Sequence, residues 1–182
     1  MLKWILAGVL LQAGLAQAEG FALTSPGLQP GHRVPEKFVA NGFGCTGENI
    51  SPALNWVNPP AGTKSFAITV HDPDAPTGGA GFWHWVVVNL PATMTGLAEG
   101  DGVLNSTHLP AGAQQIRNDF GMPAWGGPCP PAGDKPHRYN FTVYALKVGH
   151  LDVPAGASAA AVGRLIDRSS IASAGFTVRY GR

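Results

Sequence analysis

Charged residues are scarce in this sequence, and their scarcity excludes several kinds of partner. Asp, Glu, Lys and Arg make up 13% of the 182 residues, and the 12 basic and 11 acidic side chains leave a formal net charge of +1. Proteins that bind nucleic acid or anionic membrane surfaces by charge carry a strongly basic patch. We therefore expect no nucleic-acid partner. Hydrophobic residues make up 45% of the sequence, which suffices for a substantial core and is not typical of a disordered chain.

Long apolar runs are also lacking, with one exception at the start of the chain. Residues 1–18 combine a basic residue, Lys3, with a short apolar run and an Ala-x-Ala sequence that ends at Ala18. This combination is typical of a secretory signal peptide. A membrane anchor would need about 20 consecutive apolar residues, and glutamines interrupt this run. We predict that the signal peptide is removed before Glu19 and that the protein is exported, to the periplasm or the extracellular space, without a transmembrane segment.

The remaining sequence, residues 19–182, has the length of one domain, for which about 100–200 residues are usual. It contains no internal repeat and no low-complexity segment that would divide it. Because Lys3 lies in the predicted signal peptide, the mature chain would carry equal numbers of acidic and basic residues. We predict a single domain over residues 19–182. Its neutral surface would permit a homodimer but does not require one.

Only two cysteines are present, and they lie in separate loops rich in glycine and proline. Cys45 belongs to the segment GFGCTGENISP and Cys129 to the segment GGPCPP. An even pair of cysteines in an oxidising compartment can be joined, and a bond here would close a long loop. The alternative is that both are buried thiols that pack without a bond. We favour a disulfide between Cys45 and Cys129.

Helical periodicity is absent from most of the sequence. Up to Trp56 the chain consists of short extended pieces separated by Pro and Gly, and residues 91–122 resemble a long connection with a covering role. Only within residues 157–173 do apolar side chains recur at helical spacing. We expect Gly175 to end this helix and residues 176–180 to return as the last strand. These patterns predict mostly β-structure, with one helix near the C-terminus.

Three apolar strands carry polar residues at one end, on the side that alternation assigns to the core. Side chains of a β-strand point alternately to the two faces of its sheet. Residues that share a face by this rule are Asp72 with Phe66, Ile68 and Val70; His84 with Val86, Val88 and Leu90; and His137 and Tyr139 with Phe141, Val143 and Ala145. We therefore predict that Asp72, His84, His137 and Tyr139 meet where the interior opens to solvent.

These four side chains have the chemistry of a site for a phosphate-like anion. Two imidazoles and a phenol, together with backbone amides of a Gly-rich loop, supply directional donors to a phosphoryl oxygen. Asp72 would accept a hydrogen bond from one histidine ring, which fixes the tautomer of that ring and favours its protonated form. Prolines in both flanking loops would stiffen the rim and reduce the ordering entropy that opposes binding.

The same residues leave a catalytic alternative open. Asp72, His84 and His137 could serve as acid and base, or hold a metal ion through two histidines and one carboxylate. No Gly-x-Ser-x-Gly motif surrounds any serine, and the context of Ser51, before Pro52, is that of a turn residue. Because no nucleophile paired with a base is visible, an exported hydrolase is the weaker of the two interpretations.

Several segments, in this order, resemble the phosphatidylethanolamine-binding protein (PEBP) family, also called Raf kinase inhibitor-like proteins, in its bacterial branch. They are CTGENISPALNW, HDPDAP, FWHW, and GGPCPP followed by HRY. The resemblance extends over residues 21–180 and is far more specific than a short glycine motif. It implies a β-sandwich of two antiparallel sheets with few short helices, and a small pocket that binds phosphate-like anions.

The resemblance also implies which residues form the pocket. Carried over position by position, they are Asp72, Pro76, His84, Gly127, Pro130, His137 and Tyr139. The sequence departs from the family in a short, uncharged loop after DPDAP and in its ending, FTVRYGR. These departures argue against a eukaryotic partner such as a kinase, but they do not touch the pocket.

The sequence therefore predicts an exported, non-catalytic binding protein. Its ligand would be a phospholipid headgroup or a phosphorylated small molecule, and a role as inhibitor or modulator of a partner protein is compatible with the same pocket. No cofactor is expected. The alternative is an exported hydrolase that uses Asp72, His84 and His137.

Overall fold

Ten β-strands and one α-helix form the part of the chain that the computed structural model describes, residues 20–182. The strands are β1 (Ala22–Thr24), β2 (Asn41–Gly42), β3 (Cys45–Thr46), β4 (Leu54–Val57), β5 (Ser65–Asp72), β6 (Phe82–Pro91), β7 (Gly96–Leu97), β8 (Gln114–Gln115), β9 (His137–Leu146) and β10 (Ser170–Tyr180). The helix is α1 (Ala159–Ser169), and a 3-10 turn spans Glu36–Phe38. In these residues no helix is both long and apolar enough to cross a membrane. The predicted signal peptide, residues 1–18, lies outside the described residues.

The main core lies between two antiparallel sheets. Strands β10, β9, β5, β6 and β8 lie side by side in that order, and β1, β4 and β7 form a second sheet. Side chains from both sheets, including Trp56, Phe66 and Phe141, are buried in one cluster. The ring centroids of Trp56 and Phe66 lie 5.3 Å apart across the interface. The predicted sandwich of two antiparallel sheets is confirmed.

Helix α1 covers the outer face of the five-stranded sheet. The helix begins after Ser158, whose hydroxyl accepts a hydrogen bond from the backbone N–H of Ala161. Val162 on the helix is buried in a second cluster that includes outward-facing side chains of β5 and β6. A Cβ atom at Gly163 would lie 2.7 Å from the ring of Trp83, so glycine lets the ring approach the helix. The central strands are therefore buried on both faces.

A β-bulge at the start of β6 places one extra residue opposite β5. Trp83 pairs with His71, whereas Trp85 pairs with Val70, so His84 is inserted between two regular pairs. The rings of His71 and Trp83 lie 4.5 Å apart on the outer face. His84 and Trp85 both face the inner core, although they are neighbours in sequence. Bulges of this kind re-aim a side chain and are frequent beside functional sites.

The bulge makes the predicted facing of the next residues wrong. Val86 and Val88, which alternation places with His84, pack in the outer cluster beneath α1 instead. The reason is that one inserted residue moves every later side chain to the opposite face. A second irregularity near Asn89, whose φ is 61°, returns Leu90 to the inner cluster. The inward position of His84 itself, which the sequence predicted, is observed.

The C-terminal boundaries also differ from the prediction. Helix α1 ends at Ser169, and β10 runs from Ser170 to Tyr180. Gly175, expected to end the helix, lies within β10 opposite Thr142 of β9. Its lack of a side chain serves close packing, because a Cβ atom there would collide with the carbonyl oxygen of Phe141. The last strand is longer than predicted because it pairs with β9 along its whole length.

Two loops are joined at the edge of the sandwich. Cys45 and Cys129 form the predicted disulfide, with their Cα atoms 6.0 Å apart and a sequence separation of 84. The long connection between β6 and β9 contains only the two-residue strands β7 and β8, as its turn-rich sequence indicated. Ile116 from this connection is buried in the outer cluster, so part of it does cover the sheet.

Candidate functional site

A cavity of about 230 Å³ opens where β5, β6 and β9 begin or end at one end of the sandwich. It is lined by Asp72, Ala75, Pro76, Thr77, Phe82, His84, Phe120, Cys129, Pro130, Pro131, His137 and Tyr139. The polar side chains come from the strands, and the loops supply a mostly apolar rim. The cavity is therefore a small, largely apolar space with a few converging polar groups, which is the usual composition of a ligand site.

Six of the seven residues predicted for the pocket line this cavity: Asp72, Pro76, His84, Pro130, His137 and Tyr139. Gly127 does not line it. The backbone N–H of Gly127 donates to Asn49 Oδ1 at 2.8 Å, and a Cβ atom at Gly127 would collide with the backbone around Val39. Gly127 thus allows two loops to pack closely beside the cavity.

Asp72 and His137 form a buried pair in the cavity wall. The distance between Asp72 Oδ2 and His137 Nδ1 is 2.7 Å, and both side chains are about 5% exposed or less. The second oxygen of Asp72 accepts from the backbone N–H of Asp74 at 2.8 Å. On the other side of the ring, His137 Nε2 lies 3.4 Å from Asp134 Oδ2. Both oxygens of Asp72 are therefore engaged by protein donors, and its carboxylate orients the histidine ring.

His84 occupies a different environment. Its Nδ1 lies 2.6 Å from the carbonyl oxygen of Gly126. A carbonyl oxygen only accepts hydrogen bonds, so Nδ1 carries a proton and Nε2 is the acceptor of the neutral ring. Burial of the ring lowers the pKa of His84 to about 4, and it outweighs the opposing effects of the Gly126 carbonyl and the Asp72 charge. At neutral pH this imidazole is uncharged.

The hydroxyl group of Tyr139 lies in the same wall, close to the Asp72 carboxylate, and makes no hydrogen bond of good geometry among the described residues. Its side chain is fully buried, and its ring meets that of His84 edge to face at 5.1 Å between centroids. Burial raises the pKa of Tyr139 above its ordinary value, and the charge of Asp72 and a side-chain contact with that carboxylate add to the effect. The phenol therefore keeps its proton. A buried polar atom without a partner is costly, and it is a natural contact point for a ligand.

The turn that follows Asp72 is held against β9 by an ion pair. Asp74 Oδ2 accepts from the backbone N–H of Arg138 at 2.8 Å and from its Nε at 2.9 Å, and Oδ1 accepts from its Nη2 at 2.6 Å. The Arg138 guanidinium holds the pKa of Asp74 at about 2, below the usual 3.8. This two-pronged contact fixes the loop that carries Pro76.

We expect Asp74→Asn to lower stability by about 1 kcal/mol at pH 6, because the pair is partly exposed to solvent. The folded-state pKa of Asp74 is depressed, so its contribution is present above about pH 4 and is lost as pH falls through about 2. Urea unfolding at several pH values should show the gap between variant and wild type closing on the acid side. Asp152→Asn, at a fully exposed carboxylate, is the control. A gap independent of pH would contradict the assignment.

Another part of the cavity lining is the segment Cys129–Pro131, which we call the 129–131 wall. The disulfide ties it to Cys45. Arg182 Nε donates to the carbonyl oxygen of Pro130 at 2.7 Å, and its Nη1 donates to that of Gly44 at 3.0 Å. A covalent bond and a guanidinium therefore brace the same two loops. The sequence indicated the disulfide but gave no sign of the Arg182 contacts.

Two aromatic residues of the cavity were missed by sequence reasoning. Phe82 and Phe120 meet edge to face at 4.7 Å, and both rings lie beside His84, at 5.2 and 5.5 Å between centroids. Phe82 opens β6, where alternation could have placed it on the inner face. Phe120 lies in an irregular loop, where no pattern predicts its direction. It fits because Gly126 has no side chain, since a Cβ atom there would collide with the Phe120 ring.

The groups that a hydrolase or a metal site would need are sparse. Among residues 20–182, no group of three His, Cys, Asp or Glu side chains has an arrangement that could hold a metal ion. Thr77 carries the aliphatic hydroxyl of the lining, and it donates to the carbonyl oxygen of Gly81 at 2.9 Å. Ser51 is buried away from the cavity and accepts from the backbone N–H of Gly102, which agrees with its predicted role in a turn.

Comparison with known proteins gives a consistent set of relatives. The family model described as "Phosphatidylethanolamine-binding protein" matches residues 24–181. The YbcL protein of Escherichia coli (strain K12) is 51% identical over 165 residues, covering 91% of this chain and 90% of that protein. The YbhB protein of the same organism is 49% identical over 158 residues, covering 87% and 98%. A Mycobacterium tuberculosis protein named lipoprotein LppC is 39% identical over 141 residues, covering 78% and 62%.

The fold agrees with these matches. The crystal structure of E. coli YbcL, described as a new member of the mammalian PEBP family, superposes with a TM-score of 0.86 at 49% sequence identity. The superposition covers 90% of this chain and 99% of that one. The likeness in fold therefore extends over most of this chain.

Proposed function

This chain belongs to the phosphatidylethanolamine-binding protein family, and from that premise we propose that it is an exported, non-catalytic protein whose cavity binds the phosphate group of a small ligand. The observation that carries the proposal is the buried Tyr139 hydroxyl, which lies close to Asp72, makes no hydrogen bond of good geometry among the described residues, and belongs to the cavity wall with His84 and His137. A phosphoryl oxygen would satisfy it. A lipid headgroup and a free phosphate ester share this chemistry.

The cavity offers a phosphate both donors and acceptors. The Tyr139 hydroxyl can donate a hydrogen bond to one phosphoryl oxygen. The Nε2 atom of His84 can accept a hydrogen bond from a P–O–H group of the ligand. His137 is oriented by Asp72, each of whose two oxygens is engaged by one protein donor. The braced 129–131 wall and the fixed turn at Pro76 keep the rim in place before binding, and this lowers the entropy cost of holding a ligand.

Three features favour binding over catalysis. The lining contains no serine or lysine, and its cysteine, Cys129, is bonded to Cys45. The Thr77 hydroxyl donates to a backbone carbonyl rather than to a histidine. Asp72 and His137 are paired with each other, so they resemble an orienting pair without an attached nucleophile. A hydrolase would need at least one of these groups to be free and activated.

Export is part of the proposal and has three supports. The Ala-x-Ala pattern before Glu19 is typical of a cleaved signal, the disulfide suits an oxidising compartment, and one relative carries the name of a lipoprotein. In a cell with an outer membrane, the expected location is the periplasm.

The test is calorimetric titration with inorganic phosphate and O-phosphoethanolamine. We expect Tyr139→Phe to weaken binding about tenfold to a hundredfold, because it removes a donor to a charged group worth about 1.5–3 kcal/mol. Tyr144→Phe is the matched control, since Tyr144 lies on the same strand but packs in the outer cluster. Its affinity should equal that of wild type. The proposal fails if wild type shows no binding at millimolar concentration, or if Tyr139→Phe binds as wild type does.

A further inference from the structure

Resting on the proposed function, we infer that the cavity selects phosphate monoesters that carry a proton and discriminates against phosphodiesters. The hydrogen-bonding pattern of His84 and Tyr139 in this small cavity of about 230 Å³ supports the selectivity. It names the class of ligand, and it separates the soluble monoesters from the intact phospholipid headgroup, which is a diester.

The hydrogen bond to the Gly126 carbonyl fixes the tautomer of His84. Its Nδ1 donates to the carbonyl oxygen of Gly126 at 2.6 Å, so the lone pair of the neutral ring is on Nε2. Two aromatic rings, Phe82 and Phe120, and the ring of Tyr139 surround it. These three rings pack around the imidazole, and His84 as a residue is only 3% exposed. A ligand that meets Nε2 must therefore bring a hydrogen-bond donor.

The charged groups near His84 do not remove this requirement. They are Asp72 on β5, whose oxygens are engaged by His137 and Asp74, together with Asp119 on the covering loop and His71 on the outer face of β5. The two carboxylates favour a charged imidazole, but burial outweighs them and leaves the pKa of His84 at about 4. Neutral His84 is thus the form that a ligand meets at pH 5 and above.

The protonation state of the ligand follows. The monoanion of a phosphate monoester has one P–O–H group, which can donate to His84 Nε2, and other oxygens, which can accept from Tyr139. A phosphodiester has only acceptor oxygens. It would place an oxygen against the lone pair of Nε2, or would require a proton on a ring that resists charge. The dianion of a monoester has the same defect, so a bound dianion must take up one proton.

The size and stiffness of the cavity also favour a monoester over a diester. The cavity is small beside the roughly 300–1,000 Å³ of common small-molecule sites. Pro76, Pro130 and Pro131 all line the cavity, so three rings with fixed φ border the space. One substituent of a phosphate can leave through the mouth. A second substituent would have to pass the same stiff rim.

The experiment compares a matched pair of ligands by isothermal titration calorimetry. O-phosphoethanolamine is the monoester, and glycerophosphoethanolamine is the diester with the same amine. At pH 5.5 we expect the monoester to bind about tenfold to a hundredfold more tightly. Above the second pKa of the monoester, about 6, its affinity should fall up to tenfold per pH unit. Titrations at pH 8 in two buffers of different ionisation enthalpy should show uptake of about one proton per bound ligand.

A substitution locates the discriminating group. In His84→Gln the side-chain amide can turn either its oxygen or its NH₂ group to the ligand, so the preference for the monoester should shrink to less than about threefold. His32→Gln is the matched control, because the Nδ1 of His32 also contacts a backbone carbonyl but lies at the exposed surface. Its preference should equal that of wild type. If His84→Gln does not fold, the proton uptake measured for wild type at pH 8 still tests the inference.

The possible results are distinct. Equal binding of monoester and diester, or monoester affinity that rises with pH, overturns the inference and leaves the proposed function standing. Absence of binding for both ligands and for inorganic phosphate at millimolar concentration overturns the proposed function as well. Selective binding of the monoester with no proton uptake at pH 8 overturns the role of His84 as an acceptor.

Discussion

Reduction of the bond between Cys45 and Cys129 is expected to lower the free energy of unfolding by about 4–5 kcal/mol. The bond closes a loop of 84 residues. By the chain-entropy relation, closing a loop of this length lowers the entropy of the unfolded chain and so raises its free energy by that amount. For a chain of this length the change corresponds to a fall of about 10–15 °C in melting temperature. Urea unfolding of the oxidised protein, with and without a phosphine reductant, measures it directly.

A double variant, Cys45→Ala with Cys129→Ala, provides the control. It should resemble the reduced wild type, and the reductant should not change its stability further. Phosphate affinity should fall in both forms, because Cys129 lines the cavity and Arg182 alone would then brace the 129–131 wall. Unchanged stability on complete reduction would show that the loop is restrained by its other contacts and that the entropy argument does not apply here.

Removal of the buried carboxylate by Asp72→Ala should lower stability by about 3 kcal/mol. The substitution leaves the ring of His137, which is about 5% exposed, without its partner at 2.7 Å, and leaves the backbone N–H of Asp74 without an acceptor. Breaking a buried pair on one side costs about 3–5 kcal/mol when the remaining group stays charged, and less when it can become neutral. Chemical unfolding at pH 7 gives the difference.

Asp134→Ala is the matched control for this pair. Asp134 faces the same imidazole from the other side, but at 3.4 Å and with its side chain 43% exposed. Its removal should change stability by less than about 1 kcal/mol, as for other exposed ion pairs. Asp72→Asn should lie between the two, because the amide oxygen can still accept from His137. Equal losses for Asp72→Ala and Asp134→Ala would contradict the distinction between a buried and an exposed partner.

The regular strands of this protein could be predicted from the sequence because alternation in a strand is a local rule. On β9 the pattern has no interruption, and His137, Tyr139 and Phe141 all face the side predicted for them. The same rule predicted that the polar residues gather at one end of the sandwich. Six of the seven predicted pocket residues line the cavity, and the family resemblance supplied the loop residues among them.

The remainder depends on contacts between distant segments. The bulge at His84 is visible only when β6 is laid against β5, and this is why the predicted facing of Val86 and Val88 failed. Gly175 is a packing residue because Phe141 lies beneath it, whereas the sequence alone shows only a glycine after a helical pattern. The direction of Phe120 depends on Gly126 in the same way. Alternation along one strand cannot predict these contacts, because each depends on a residue from another segment.

The bulge also makes the histidine of the site separable from the fold. Trp83 and Trp85 keep regular partners on β5, and His84 is the extra residue between them. A deletion of this one codon would leave each neighbour opposite the residue it already faces, whereas deletion of Trp85 would remove a buried ring and place His84 opposite Val70. The lineage of this chain could therefore gain or lose the acceptor of the cavity in a single insertion or deletion, without rebuilding the sandwich around it.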